Sequence, residues 1–145
     1  MKTESEVRLE ELSSASYVLH GVRIVVLIQQ LIGPHKIVDT ELIQRSFRVE
    51  STRIMGAFAG DLLIGMTMCT LKVHATGYEL YVDDVVVDDA YRGQGVGSLL
   101  MDDLEGFARK RGCTAVMFTS SRPMAQEFYE RRGYLTTTRA FKKTP

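Results

Sequence analysis

The sequence predicts one mixed α/β domain, on three observations. The first half carries short runs with strand alternation, the second half carries helices with recognisable starts, and one buried run passes through a glycine-rich turn directly into an amphipathic helix. The 145 residues are 45% hydrophobic and 25% charged, which is enough for one core and too little for two. A single domain over residues 1–145 is therefore expected.

The elements follow in order. Val7 to Leu12 alternates as a strand, and Ser13-Ser14 caps a long helix ending near Gly33-Pro34. That helix holds the most hydrophobic window, Val22 to Ile32, which Arg23, Gln29 and Gln30 interrupt and which falls short of the roughly 20 residues of a membrane span. Its valines are expected to pack on a sheet, with a homodimer face or an acceptor pocket as the alternative. Asp39-Thr40 starts a second helix to Ser46, and Arg53 to Phe58 with Leu62 to Val73 forms a hairpin around Gly60-Asp61. After a turn at His74 to Gly77 come a strand from Tyr78 to Val87 and a helix from Val96 to Arg111. A strand from Thr114 to Thr119, a helix from Pro123 to Arg132 and a last strand from Tyr134 to Lys143 complete the order.

Charge and composition exclude several classes of function. Eighteen basic and 18 acidic residues balance, so no global field holds nucleic acid or an anionic membrane, and no basic stripe or aromatic platform replaces it. Cys69 and Cys113 lack metal or redox spacing and are expected as buried free thiols. His20, His35 and His74 show no paired ligand spacing, so no metal is expected. The acidic start, Met-Lys-Thr-Glu-Ser-Glu, does not resemble a secretory signal, and a cytoplasmic location is the expectation.

The most informative stretch is Val85 to Leu100. A strand ends in Asp88-Asp89-Ala90-Tyr91-Arg92, turns through Gly93-Gln94-Gly95, and becomes a helix at Val96-Gly97-Ser98. Glycines let a ligand approach the main chain, and the unpaired amides of a helix start, with the positive dipole end behind them, favour a pyrophosphate. Arg92 adds charge at the rim on one reading and is solvated or carboxylate-paired on the other. A P-loop needs lysine and then serine or threonine after its last glycine, whereas Ser98-Leu99 follows Gly97. A dinucleotide fingerprint needs a third glycine or alanine where Ser98 stands, and a turn that opens a βαβ unit, whereas this one follows a run of strands. Both are disfavoured.

Arg92-Gly93-Gln94-Gly95-Val96-Gly97 resembles the Arg/Gln-x-x-Gly-x-Gly/Ala signature of the GNAT acetyltransferase superfamily at every specified position. Val87 to Tyr91 looks like that family's strand exit, and Phe128-Tyr129-Glu130-Arg131-Arg132-Gly133-Tyr134 like its later Phe-Tyr-x-x-x-Gly-Phe/Tyr element. The resemblance covers roughly Tyr78 to Tyr134, and the first half agrees only in element order. It implies a mixed, mostly antiparallel central sheet flanked by helices and splayed between the strands at 78–87 and 114–119. It also implies acetyl-CoA as co-substrate. The main chain at Val85 and Val87 would pair with the pantetheine arm, and the amides of Gln94, Gly95, Val96, Gly97 and Ser98 would hold the pyrophosphate. Ser121 stands where relatives often have an asparagine that contacts the cofactor, so it departs from the pattern. Arg122 and Arg131 are expected as solvated helix-end charges.

Attack on a thioester requires a neutral amine, and alkyl amines have pKa values of about 10, so a proton acceptor is needed at pH 7. Relatives often carry a carboxylate at the place of Asp83. Regular alternation puts Asp83 and Asp84 on opposite faces, with Asp83 on the side of Val85 and Val87. A bulge, which the family implies, would exchange the assignments and make Asp84 the base. Both also have a bland reading, as charges capping or pairing at a sheet end. Tyr129 is the implied general acid toward the leaving thiolate, with aromatic packing beside Phe128 as its alternative.

The acceptor stays open. Val82 to Val87 resembles glucosamine-phosphate N-acetyltransferases, yet Thr119 to Arg122 lacks the acidic residue those enzymes carry before their last helix. Phe-Tyr-Glu-Arg-Arg-Gly resembles polyamine acetyltransferases, without the acidic cluster polyamines would want. A small-molecule or peptide primary amine is the expectation. The rival reading is a non-catalytic acetyl-CoA sensor, against which both Tyr129 and Asp83 are retained.

Overall fold

Strands pair in the order in which the chain makes them. The computed structural model describes residues 6–120, 122–137 and 140–145. β1 (Val7–Glu11), β2 (Thr52–Ala59), β3 (Leu62–His74) and β4 (Gly77–Val87) pair antiparallel, with hairpins joining β2 to β3 and β3 to β4 and two helices between β1 and β2, and β5 (Cys113–Met117) joins β4 in parallel. A parallel neighbour needs a crossover, which α3 (Val96–Lys110) supplies. β2 and β3 are nearly continuous apolar runs because both faces of the sheet are covered.

On one face lie α1 (Ser14–Ile32) and α2 (Thr40–Ser46), closing a core of Leu12, Ile24, Leu27, Ile43, Ile54, Phe58, Leu63, Met66 and Val86. On the other, α3 and α4 (Pro123–Arg131) cover Cys69, Leu80, Val82, Met101 and Leu104, with Val85, Phe128 and Tyr129 packed alongside. The helix boundaries have local causes. Asp39 accepts hydrogen bonds from the Glu41 and Leu42 amides at 3.0 and 3.1 Å. Gly33, at φ 88°, ends α1 by donating to the Gln29 carbonyl at 3.0 Å. By length and composition α1 would also suffice to cross a membrane, which the window from Val22 did not anticipate. In this fold its inner face lies on the sheet through Ile24 and Leu27, while Val18, Leu19 and Val22 face outward.

Two features of β4 shape the site. β5 accompanies β4 only from Tyr78 to Tyr81, opposite Cys113 to Met117, so the edge of β4 from Val82 to Val87 has no β5 neighbour. The sheet opens there, at the splay expected between these strands. Within β4, Val82 pairs with Cys69 and Asp84 with Met68, leaving Asp83 as one extra residue opposite an unbroken β3.

The expected last strand is not found: Tyr134–Thr137 and residues 140–143 take no strand conformation, and residues 138 and 139 lie outside the described residues. Strand propensity needs a ladder and a surface to pack on. Leu135 and Phe141 are instead exposed, while Tyr134 turns back onto α3 through a 3.0 Å hydrogen bond to Glu105.

Candidate active site

The glycine turn is built from the strand outward. Asp88 ends β4 with its amide on the Ile64 carbonyl at 2.7 Å, and its carboxylate accepts from the Ala90 amide at 2.9 Å, starting a 3-10 turn over Asp89–Tyr91. Gly95 then takes φ 83°, a left-handed conformation that side chains resist, and becomes the N-cap of α3. The first backbone bond of the helix runs from the Leu99 amide to the Gly95 carbonyl at 3.1 Å. Helix geometry leaves the amides of Val96, Gly97 and Ser98 without intrahelical partners. Gly93 and Gln94 form the outer rim. Arg92 pairs with Asp89 at 2.8 Å and reaches the Val87 carbonyl at 3.4 Å, so in this state it is carboxylate-paired and exposed.

A Cβ placed on Gly97 would sit 3.7 Å from the Phe128 ring and 3.8 Å from Val87. Gly97 therefore faces a cleft bounded by the start of α3, by α4 and by β4, on the side where β5 has parted from β4. The free amides, the bare Gly97 and the unpartnered edge at Val85 and Val87 fit the pyrophosphate and the amide-rich arm of acetyl-CoA. Ser121 lies outside the described residues. Arg122 donates to the Leu31 carbonyl at 2.6 Å and Arg131 pairs with Glu127, so each has a protein partner.

The two carboxylates correct the expectation from regular alternation. Val82 and Val85 pack toward α3, whereas Met66, Met68 and Val86 pack toward α1. Asp84, opposite Met68, is on the α1 side. Asp83 accepts from the Thr70 hydroxyl at 2.6 Å, and Thr70 alternates with Met66 and Met68, so Asp83 is on that side too. The extra residue of the bulge thus brings Asp83 and Asp84 onto one face, away from Val85. Asp83 is exposed and Asp84 half-buried. Burial first, and then the neighbouring Asp83 charge, pushes the Asp84 carboxyl above its ordinary pKa.

Tyr129 lies on the opposite side of the opening. Its ring centroid is 4.0 Å from Phe118, 5.2 Å from Phe128 and 6.0 Å from Tyr134. The Phe-Tyr-x-x-x-Gly-Tyr spacing has a local cause. Gly133, at φ 89°, ends α4 by donating to Glu130 at 3.0 Å, and the Tyr134 amide donates back to the Tyr129 carbonyl at 3.1 Å. That turn folds Tyr134 against Tyr129. Burial raises the Tyr129 phenol, with a lesser contribution from Cys69. A cavity of about 410 Å³ beyond α4 also includes Tyr129, together with Phe118, Ser120 and Gln126, but neither carboxylate nor any residue of the glycine turn.

Residues that were not anticipated hold this arrangement. Arg23 joins α1 to Asp88, Gln30 accepts from the Asp89 amide, and Arg132 pairs with Asp102 and Glu105 at 2.6 and 3.2 Å to fasten the end of α4 on α3. The one available signal for Arg23 was a lone cation amid the apolar residues of α1.

Comparison with known proteins agrees with this fold. The model of the Acetyltransferase (GNAT) family matches residues 25–134. The glucosamine 6-phosphate N-acetyltransferase of Trypanosoma brucei brucei is 43% identical over 54 residues, 37% of this chain and 36% of that protein, so the match spans about a third of that relative. An aminoglycoside acetyltransferase from an uncultured soil metagenomic sample superposes with a TM-score of 0.83, at 17% identity over 98% of both chains. AAC(6')-Iy, solved with a bisubstrate analogue of CoA, superposes with a TM-score of 0.79 at 15% identity, over 97% of this chain and 99% of that one. Since the family model runs over most of the sequence and includes both the glycine turn and the Phe-Tyr element, this chain belongs to the GNAT acetyltransferase family.

Proposed function

We propose that this chain transfers the acetyl group of acetyl-CoA to a primary amine of a small molecule or peptide by direct attack. The observation that supports the reading is the glycine-capped start of α3 beside the edge of β4 that β5 leaves unpaired, in a chain of the GNAT acetyltransferase family. Acetyl-CoA supplies an acyl group activated by a thiol leaving group. The amides of Val96, Gly97 and Ser98, with those of Gln94 and Gly95, hold its pyrophosphate, and the free edge at Val85 and Val87 takes its arm.

Asp84 is the base in this proposal, in place of Asp83. It removes a proton from the incoming ammonium, the freed nitrogen bonds to the acyl carbon, and the carbon–sulfur bond breaks. Tyr129 gives its proton to the departing sulfur, and the second proton lost from the acylated nitrogen restores the phenol. A raised phenol stays protonated throughout the neutral range and is therefore available as donor. Asp83, kept in place by Thr70, adds negative charge that draws a cationic amine to the α1 side of the opening. Direct attack is favoured over an acyl-cysteine route because Cys69 is only 1% exposed and burial pushes its thiol up to about 12, which leaves no useful thiolate.

The relatives' names give acceptor classes to try, aminosugars and aminoglycosides among them. Calorimetric titration with acetyl-CoA, followed by thiol release against a panel of amines, tests the proposal. Binding with amine-dependent release supports it. Binding without release on any amine favours a sensor, and no binding overturns it.

A further inference from the structure

We propose that Arg23 and Gln30 of α1 are positioning residues for the cofactor turn, so that a helix on the far face of the sheet sets the aim of the pyrophosphate-binding amides. This inference rests on the acetyl-CoA reading given above. Arg23 and Gln30 are seven residues, about two turns, apart on one helix and so lie on one face of it. That face meets the exit of β4. The Arg23 guanidinium donates to the Leu63 carbonyl from Nε at 3.1 Å and from Nη2 at 2.9 Å, and Nη2 also pairs with Asp88 Oδ2. Gln30 Oε1 accepts from the Asp89 amide at 2.9 Å.

The consequence lies in how the amides are divided. Those of Asp88, Asp89, Ala90 and Tyr91 are all committed, to Ile64, Gln30, the Asp88 side chain and the Asp88 carbonyl respectively. Those of Val96, Gly97 and Ser98 have no intrahelical partner. The segment before the glycines is thus pinned at both its carboxylate and its amide by α1, while the segment after them is left to a ligand. Asp88 is buried, and a buried carboxylate deprived of its cation has reason to move toward solvent. Its movement would carry the 3-10 turn and the glycines with it. α1 also lies on the side of the sheet that bears Asp83 and Asp84.

The test compares two thioesters. S-acetylpantetheine has the reacting end of acetyl-CoA but no pyrophosphate. In Gln30→Leu and Arg23→Gln, calorimetry should give a Kd for acetyl-CoA raised about tenfold or more, the loss expected from misplacing one or two hydrogen bonds, with S-acetylpantetheine binding unchanged within about twofold. Arg23→Lys, which keeps the charge and loses the fork, should recover part of the affinity. Equal losses for both ligands, or no loss for either, overturn the inference. Gln30→Leu removes one surface hydrogen bond and decides the matter if Arg23→Gln fails to fold. Failure of the wild-type protein to bind acetyl-CoA would overturn the acetyltransferase reading itself, whereas wild-type binding matched by Gln30→Leu would overturn only this inference.

Discussion

Asp83 and Asp84 stand on one face of β4 because the strand carries one residue more than β3 between Val82 and Asp84. Two carboxylates so close cannot be charged independently, and the half-buried member holds its proton more tightly. If Asp84 is the base, kcat/KM falls as pH drops through its raised pKa. Asp83→Asn removes the repelling charge and should move that acid limb to lower pH. Asp84→Asn should lower kcat by about 10²–10⁴-fold and abolish the limb, as loss of a general base does. A pH–rate profile of the three proteins checks this. An unmoved limb in Asp83→Asn means that another group titrates.

Tyr129→Phe keeps the ring packing against Phe118 and Phe128 and removes only the hydroxyl. The expected result is a fall in kcat of about 10²-fold or more, with acetyl-CoA affinity and melting temperature nearly unchanged. Steady-state kinetics beside calorimetry distinguishes this from a packing role, in which the retained ring would leave kcat unchanged.

Gly97→Leu separates stability from binding in the opposite sense. Leucine is a better helix former than glycine by roughly 0.5–1 kcal/mol, and a Cβ at Gly97 meets nothing closer than 3.7 Å. The fold should therefore melt no lower than wild type, while the longer side chain occupies the cleft and raises the Kd of acetyl-CoA more than about tenfold. Unimpaired binding would remove the cofactor from this cleft.

Asp88 makes stability depend on pH. The hydrogen bond from Arg23 holds its carboxyl below the usual carboxylate range, against the effect of burial. A depressed pKa means stability that is fully present above the unfolded value of about 4 and is lost as pH falls through the folded value. Urea melts should show Asp88→Asn less stable than wild type by about 1–3 kcal/mol at pH 7, with the gap narrowing below about pH 4. A gap that stays constant with pH would mean that the pair contributes shape and not charge.

Much of the fold was legible because its boundaries are local. Asp39, Gly33 and Pro123 mark helix ends by their own chemistry, and the glycine turn shows its spacing in a row of residues. The bulge was not legible as a position, since an extra residue exists only by comparison with the partner strand, and so the faces of Asp83 and Asp84 came out differently from regular alternation. The last strand failed for a related reason: Thr136 and Thr137 favour strands, but propensity does not supply an edge to pair with. Arg23 showed only as an oddity in an apolar helix, because its partner Asp88 is 65 residues away.

The agreement between strand order and chain order also governs how the molecule forms. β2, β3 and β4 are joined by short turns and can pair by successive short closures as the chain emerges during synthesis, whereas β1 meets β2 only across α1 and α2. The reactive opening depends on the long crossover through α3 and on α4, and is completed last. A chain stalled before β5 would have most of its sheet and the glycine turn but neither α4 nor Tyr129, so on the proposed reading it is acetyl transfer, and not acetyl-CoA binding alone, that would report the final step of folding.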